Sequence, residues 1–215
     1  KETACPGNIK SAGLPIPVDA EKLAELKRRI GSRPVWLVSS THHDEEAKIA
    51  RFIPEIKEAA PGLLTIIAPR HPQRGYEVNS AVKEISGLST SLRSAGDEII
   101  PETDVYIADT IGEMGLWYSL CPLVFIGGSL IPHGGQNFME PSRMRDAVIV
   151  GPHMHNFTDA MNRAKKADAI IQVNDVLELK DTVINLLKSP ELLEAKRSLA
   201  YNWASGENKV LDGIL

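Results

Sequence analysis

Short runs of apolar residues recur along the chain from Pro34 onward and mark its predicted strands. Each run is continuous, without alternation between apolar and polar positions, which is typical of strands buried on both faces of a parallel sheet. The six clearest runs are Val35–Val38, Leu63–Ala68, Val105–Ala108, Leu123–Ile126, Val148–Val150 and Ile170–Val173, and a weaker run lies near Leu88–Leu92.

The segments between these runs have the spacing of helices. Thr41 and Asp44 stand three residues apart, as in a capping box, before a helix that we expect to kink at Pro54. Thr110 and Glu113 repeat this spacing before a predicted helix over 114–120, and further helices are predicted over 159–167, 175–188 and 191–203. Strands that alternate with helices predict a single α/β domain with a doubly wound, mostly parallel sheet and right-handed crossovers.

Proline and glycine are dense in residues 1–20, which we interpret as a lead-in or linker region. Residues 21–215 are then the predicted domain, and this length is close to the roughly 100–200 residues of one folding unit. The chain begins with Lys1 rather than Met, so we expect it to be part of a longer protein.

The composition is that of a soluble globular protein, with 43% hydrophobic and 24% charged residues. The formal net charge is −4, so the basic excess typical of duplex-binding proteins is missing, and nucleic acid is not an expected partner. No apolar run in the sequence approaches the roughly 18 residues of a membrane-spanning helix. Two cysteines, Cys5 and Cys121, do not make a disulfide framework, which favours a reducing compartment.

Polar residues and glycines follow the predicted strands and define a candidate site. Ligands of open parallel sheets bind beyond the carboxyl ends of the strands. All six histidines fall in such positions, together with hydroxyl groups, glycines, an arginine and an asparagine. The five segments concerned are 39–43, 69–72, 109–113, 127–137 and 151–156. This concentration at one edge of the sheet predicts a binding site there.

The segment after the run Leu123–Ile126 has features suited to a nucleotide. Backbone N–H groups at Gly127, Gly128 and Ser129 can approach an anion without an intervening Cβ, although the same residues can form a simple tight turn. Asn137 and Glu140 open a helix, whose free N–H groups favour phosphate. Glu140 can accept hydrogen bonds from two ribose hydroxyls, or it can merely match the helix dipole.

Two other strand ends offer weaker candidates. Arg70 can donate two hydrogen bonds to a phosphate or to the edge of a pyrimidine base, or it can instead form an ion pair at the surface. Thr110 and Gly112 lie at a second helix start that can meet a phosphate, and their alternative is a helix cap alone.

Several well-known nucleotide and metal motifs are missing from the sequence. No Gly-x-Gly-x-x-Gly follows the first strand and no Gly-x-x-x-x-Gly-Lys-Ser/Thr occurs, which disfavours nicotinamide dinucleotides and P-loop hydrolysis. His42-His43 and His153-x-His155 come without a His-Glu-x-x-His or Cys-x-x-Cys motif. We therefore expect neither a metal site nor a cofactor.

The segment 127–141 resembles the signature of the 3-deoxy-D-manno-octulosonate (Kdo) transferases, which build the inner core of lipopolysaccharide on lipid A. It reads Gly-Gly-Ser-Leu-Ile-Pro-His-Gly-Gly-Gln-Asn-Phe-Met-Glu-Pro. Other segments resemble the family in the same order along the chain: Gly7–Lys10, Ser40–His42, Pro69–Pro72, Asp109–Glu113 and Gly151–His153 with Asn156-Phe157. The resemblance covers nearly the whole chain from about residue 7.

The resemblance implies a type B glycosyltransferase with two Rossmann-like halves, of which this chain resembles only the C-terminal, donor-binding half. The implied donor is CMP-Kdo and the implied acceptor is a lipid A precursor. In the family, the N-terminal half carries the acceptor surface, a membrane anchor and an acidic catalytic base. We therefore expect this chain to be soluble and inactive alone, with its catalytic residue elsewhere. The whole protein is expected at the cytoplasmic face of the bacterial inner membrane.

Residues in the matching segments are the expected donor-binding residues. The main candidates are Arg70, Thr110, Gly112, Gly127, Gly128, Ser129, Gly134, Gly135, Asn137 and Glu140. Weaker candidates are Ser40, Thr41, His42, His71, His133, Gln136 and His153. The sequence departs from the family at Asp44, where relatives usually have glycine, and at Arg145–Ala147, where they tend to read Gly-Lys-Pro.

Three other functions remain open from the sequence. The first is a sugar-nucleotide epimerase of the same fold, which would act on UDP sugars. The second is a nucleotide-binding module without catalysis, and the third is a metal-dependent hydrolase.

Overall fold

Seven strands form one sheet in this structure, a computed structural model that describes residues 16–212, with side chains described to residue 207. The strands are β1 (Val35–Thr41), β2 (Leu64–Pro69), β3 (Thr90–Leu92), β4 (Val105–Ile107), β5 (Leu123–Ile126), β6 (Ala147–Val150) and β7 (Ile171–Gln172). Their order across the sheet is β3-β4-β2-β1-β5-β6-β7, and every recorded pairing is parallel. The predicted α/β class is therefore confirmed, and each predicted strand is present.

The helices lie on both faces of this sheet. They are α1 (Ala20–Ile30), α2 (Glu45–Ala50), α3 (Ile53–Ala59), α4 (Gly75–Ser86), α5 (Met114–Leu120), α6 (Met139–Arg143), α7 (Thr158–Lys166), α8 (Val176–Lys188) and α9 (Pro190–Asp212). One apolar cluster, which includes Leu37 and Trp117, packs on one face, and a second, which includes Trp36 and Ile53, packs on the other. Neighbouring residues of β1 thus point to opposite cores, as a doubly wound sheet requires. Within the described residues, no helix is both long and apolar enough to cross a membrane.

Helix α1 was not predicted from the sequence, and it begins at the last residue of the predicted lead-in. Asp19 caps it, because its carboxylate accepts hydrogen bonds from the backbone N–H groups of Glu21 and Lys22. Leu26 and Ile30 are buried on its inner face. In the sequence, the capping residue Asp19 and the four-residue spacing of Leu26 and Ile30 were the features that could have predicted this helix. Most of the lead-in, with Cys5 and Gly7–Lys10, lies outside the described residues.

Both predicted capping boxes are wrong. Thr41 lies in β1, and its hydroxyl donates to Oε1 of Glu46 at 2.9 Å instead of accepting from the helix backbone. Thr110 likewise donates to Oε2 of Glu113 at 2.5 Å. The predicted kinked helix is two helices, α2 and α3, because Pro54 occupies the first turn of a new helix, where its missing N–H costs nothing.

Asp146, within the departure from the family pattern, is a buried acid, and its Oδ2 has no hydrogen-bond partner among the described residues. Burial raises the pKa of Asp146 well above its ordinary value, against a smaller opposing effect of Arg197. The folded state therefore holds this proton more tightly than the unfolded state does. The contribution of Asp146 to the free energy of unfolding is therefore fully present at low pH. It is lost as the pH rises from about 4, the pKa of an aspartate in an unfolded chain, toward the higher pKa of Asp146 in the folded state.

We expect Asp146→Asn to stabilise the chain by about 1 kcal/mol or more at pH 8, because it removes the cost of either burying the charge or keeping the carboxyl protonated, without changing the side-chain volume. The gain should shrink toward pH 4. Urea unfolding across this pH range, with Asp159→Asn at an exposed position as the control, measures it. A gain that does not vary with pH would show that Asp146 titrates like an exposed acid.

Candidate functional site

The candidate site lies at the carboxyl ends of β1 and β5, where the strand order reverses. Strand β1 lies between β2 and β5, so the chain leaves β1 toward one edge of the sheet and later returns on its other side. Loops from such neighbouring strands diverge and leave a crevice that binds ligands in open α/β sheets. The structure brings together here His42 after β1, His71 after β2, and both His133 and Gln136 after β5.

His42 is the centre of this group. Its ring stacks on that of His133 with centroids 4.2 Å apart and meets the edge of His71 at 5.9 Å. Burial, with smaller effects of His133, His71, Arg70 and Arg74, lowers the pKa of His42 to about 4. His42 is therefore neutral near pH 7. Its Nε2 lies 2.9 Å from Nε2 of Gln136, so the amide donates, the imidazole accepts, and the ring proton belongs on Nδ1.

Arg70 adds an exposed positive charge beside this cluster. Its guanidinium makes no hydrogen bond or ion pair with any side chain of residues 16–207, whereas the nearby Arg74 is paired with Glu46 and Glu77. His71 and His133 are also exposed. An available guanidinium next to two imidazoles attracts anions.

The amides after β5 do bind an anion, but that anion is the protein's own Glu45. Gly128 donates its N–H to Oε2 of Glu45 at 2.6 Å, and Ser129 donates to Oε1 at 3.1 Å. The Ser129 hydroxyl is buried, donates to the Ile126 carbonyl and accepts from the N–H of Gly151. The phosphate contact expected of Gly128 and Ser129 stays a prediction, and these two amides are already paired.

Gly134 and Gly135 shape the same loop. Both have positive φ, +91° and +78°, and a Cβ at Gly135 would lie 2.2 Å from Sδ of Met154. The Gly135 N–H donates to the Gly128 carbonyl at 2.9 Å. These two glycines fold the loop back on itself and against the segment after β6.

Glu140 sits in the first turn of α6 and is partly buried. Nδ2 of Asn137 donates to its Oε1 at 2.9 Å, and Oδ1 of Asn137 accepts from the N–H of Met139 at 3.0 Å. Burial raises the pKa of Glu140, against smaller opposing effects of Asn137 and Arg143. The hydrogen bond from Asn137 holds the Glu140 carboxylate in one orientation at the start of α6. A carboxylate held in this way is suited to accept hydrogen bonds from hydroxyl groups.

Thr110 and Gly112 lie apart from this cluster, since they follow β4, which β2 separates from β1. Glu113, the partner of Thr110, is also bound by Arg93 and Lys22, and Arg93 lowers its pKa to about 2. No contact joins Thr110 to the histidine cluster within the described residues.

The remaining candidates, Ser40, Thr41 and His153, make contacts within the protein itself, and their part in donor binding stays a prediction. Ser40 forms a bulge in β1 with φ +55°, and Thr41 is buried against Glu46. His153 donates its backbone N–H to the Ser129 carbonyl and lines a separate cavity of about 250 Å³. In the described part of the chain, no group of three or more acidic, histidine or cysteine side chains could hold a metal ion.

No family model matches the chain. It is 34% identical over 211 residues to the 3-deoxy-D-manno-octulosonic acid transferase of Rickettsia felis, covering 97% of this chain and 45% of that protein. It is 36% identical over 179 residues to a probable mitochondrial transferase of the same name from Arabidopsis thaliana, covering 81% of this chain and 40% of that protein. The chain thus spans about half the length of the curated relatives it matches.

A solved structure covers the same region. The crystal structure of the C-terminal CMP-Kdo binding domain of WaaA from Acinetobacter baumannii superposes with a TM-score of 0.80 at 32% identity. The match covers 85% of this chain and 96% of that one.

Proposed function

The chain belongs to the 3-deoxy-D-manno-octulosonic acid (Kdo) transferase family, and from this premise we propose that it binds CMP-Kdo for transfer to a lipid A precursor. The observation that carries the proposal is the near-complete match to a CMP-Kdo binding domain, at a TM-score of 0.80. The chain corresponds to the C-terminal, Rossmann-like half of a type B glycosyltransferase. We place the whole protein at the cytoplasmic face of the bacterial inner membrane.

We propose that the cluster after β1, β2 and β5 receives the anionic groups of the donor. CMP-Kdo carries a phosphate and a sugar carboxylate. The guanidinium of Arg70 has no partner among the described side chains and is open to a bidentate contact, and His71 and His133 are exposed beside it. The neutral His42 and Gln136 are already hydrogen-bonded to each other. We propose that this pair supports the side chains of Arg70, His71 and His133 rather than binding the donor's anionic groups itself.

Glu140 is proposed to accept hydrogen bonds from the ribose hydroxyls. Asn137 restrains one of its carboxylate oxygens, so the side chain does not need to be ordered when the nucleotide arrives. A charged acceptor gives hydrogen bonds roughly twice as strong as a neutral one.

The proposed reaction is an inverting transfer in which an acceptor hydroxyl displaces CMP. This half contributes by stabilising the phosphate as it leaves, since positive groups already in place are most effective where charge develops. The base that activates the acceptor is proposed to lie in the part of the family's proteins outside this chain. No divalent metal or other cofactor is proposed.

Calorimetric titration of the chain with CMP tests donor binding. We expect a dissociation constant between about tens of micromolar and millimolar, as for a nucleotide held by a few charged hydrogen bonds. Titrations with and without EDTA should superimpose, because Arg70 and the imidazoles rather than a metal meet the phosphate. UDP should bind more weakly. Preference for UDP would favour an epimerase, and a severalfold loss with EDTA would reject metal independence.

We expect the chain alone to transfer no sugar. A transferase must hold donor and acceptor in one reactive arrangement, and a general base typically contributes about 10²–10⁴-fold. The test supplies CMP-Kdo and a lipid A precursor to the purified chain and follows Kdo-lipid by mass spectrometry. Product above a no-protein control would place the chemistry within these 215 residues.

A further inference from the structure

Glu45 is a fully buried carboxylate whose partners are four backbone N–H groups. Oε2 accepts from the amides of His42 at 3.0 Å and Gly128 at 2.6 Å. Oε1 accepts from the amides of Ser129 at 3.1 Å and Leu130 at 3.0 Å. Each oxygen is thus bound twice, and the donors come from two loops more than 80 residues apart in sequence.

These contacts require the ionised form. A protonated carboxyl would direct an O–H toward groups that can only donate. Burial raises the pKa of Glu45, with a further contribution from Glu46, while the amides of Gly128, His42 and Leu130 oppose the rise. The backbone hydrogen bonds thus stabilise the charged carboxylate and offset part of the cost of its burial.

The same carboxylate lies between the two sides of the candidate site. It binds the backbone of His42, whose ring contacts Gln136 and His133. It also binds the residues from which the β5 loop starts toward that pair. Loss of Glu45 would leave four N–H donors without this partner, three of them buried, and would remove the carboxylate that both loops bind. The β1–β5 ladder over Leu37–Ser39 would remain.

We propose that Glu45 is a positioning residue for donor binding, which ties the β5 loop to the β1 loop and thereby sets the spacing between His42 and Gln136. The proposal rests on the proposed function, because it assumes that this cluster receives the donor. Glu45 does not touch the donor, since it is buried beneath the loops.

The test compares Glu45→Gln with the parent chain. Glutamine keeps the shape but presents an NH₂ group to N–H donors. We expect CMP affinity to fall about tenfold or more, the effect of leaving buried donors unpaired. NMR should show that the amides of residues 42 and 128–130 shift and lose protection from exchange. The imidazole pKa of His42 should rise from about 4 as the ring gains solvent and moves from His133, His71, Arg70 and Arg74.

Glu46→Gln is the matched control, because it also removes a buried charge from the first turn of α2. Its partners are Thr41 and Arg74, not the β5 loop, so the amides of residues 128–130 should not change. Unchanged amides and CMP affinity in a folded Glu45→Gln chain would overturn the proposal.

Two further outcomes remain decisive. If Glu45→Gln does not fold, amide exchange in the parent chain answers the question, since slow exchange at these loop positions supports the anchor and fast exchange refutes it. If the parent chain binds no CMP, the proposed function fails, while the amide and His42 measurements still report whether Glu45 joins the two loops.

Discussion

Alanine in place of Gly127 should destabilise the chain by about 3 kcal/mol or more, at or above the upper end of the usual cost of overpacking. The glycine N–H donates to the Ser39 carbonyl at 2.7 Å, which brings β5 against β1. An added Cβ would lie 2.5 Å from the Ser40 carbonyl oxygen and 2.6 Å from Cα of Thr41. Both are backbone atoms at the end of β1, where Thr41 pairs with Pro69 of β2, so moving either atom aside would disturb that pairing. Urea unfolding followed by circular dichroism measures the loss.

The same substitution at Gly206 is the control. Gly206 lies within α9, and a Cβ there meets nothing within 4 Å. Alanine should stabilise this helix by about 0.5–1 kcal/mol, because glycine loses more backbone entropy on folding. If the two variants unfold at the same urea concentration, the close approach of β5 to β1 at Gly127 does not contribute the expected stability.

Replacement of Glu140 by alanine should weaken CMP binding by about tenfold to 150-fold, the loss of hydrogen bonding to a charged group. The effect should be large because Asn137 already holds the carboxylate in place, so the parent chain loses little entropy on binding. Calorimetry of Glu140→Ala measures it, with Glu191→Ala at an exposed position of α9 as the control. A Glu140→Ala chain that titrates CMP like its parent would exclude the ribose contact.

The sequence allowed the sheet to be predicted well, because a strand buried on both faces must be apolar at every position. Leu123–Ile126 was predicted with its observed bounds for this reason. Helix α1 was missed because its exposed face is highly charged and only Leu26 and Ile30 are buried. The capping boxes failed because spacing alone does not reveal that Thr41 belongs to a strand and faces a buried acid.

The edge that holds the candidate site could be predicted, but its pairings could not. The glycines after β5 were recognised as an anion-binding loop, and the anion proved to be Glu45, which follows β1. Strand order decides this pairing, because only a β5 next to β1 brings these loops together. In the sequence, Glu45 lies three residues after His42, and its burial is visible only in the structure. The short contact between Asn137 and Glu140, being local, agrees with their expected position on one helix start.

The two outer strands of the sheet, β3 and β7, are only three and two residues long. An outer strand exposes unpaired N–H and carbonyl groups that can recruit a second chain, and short outer strands are one way in which proteins limit such aggregation. The long apolar strands β1 and β2 would pair most readily with another chain if they were exposed, but each has a neighbouring strand on both sides. The strand order that places β5 beside β1 at the candidate site therefore also keeps both long strands away from the edges of the sheet, where they could recruit a second chain.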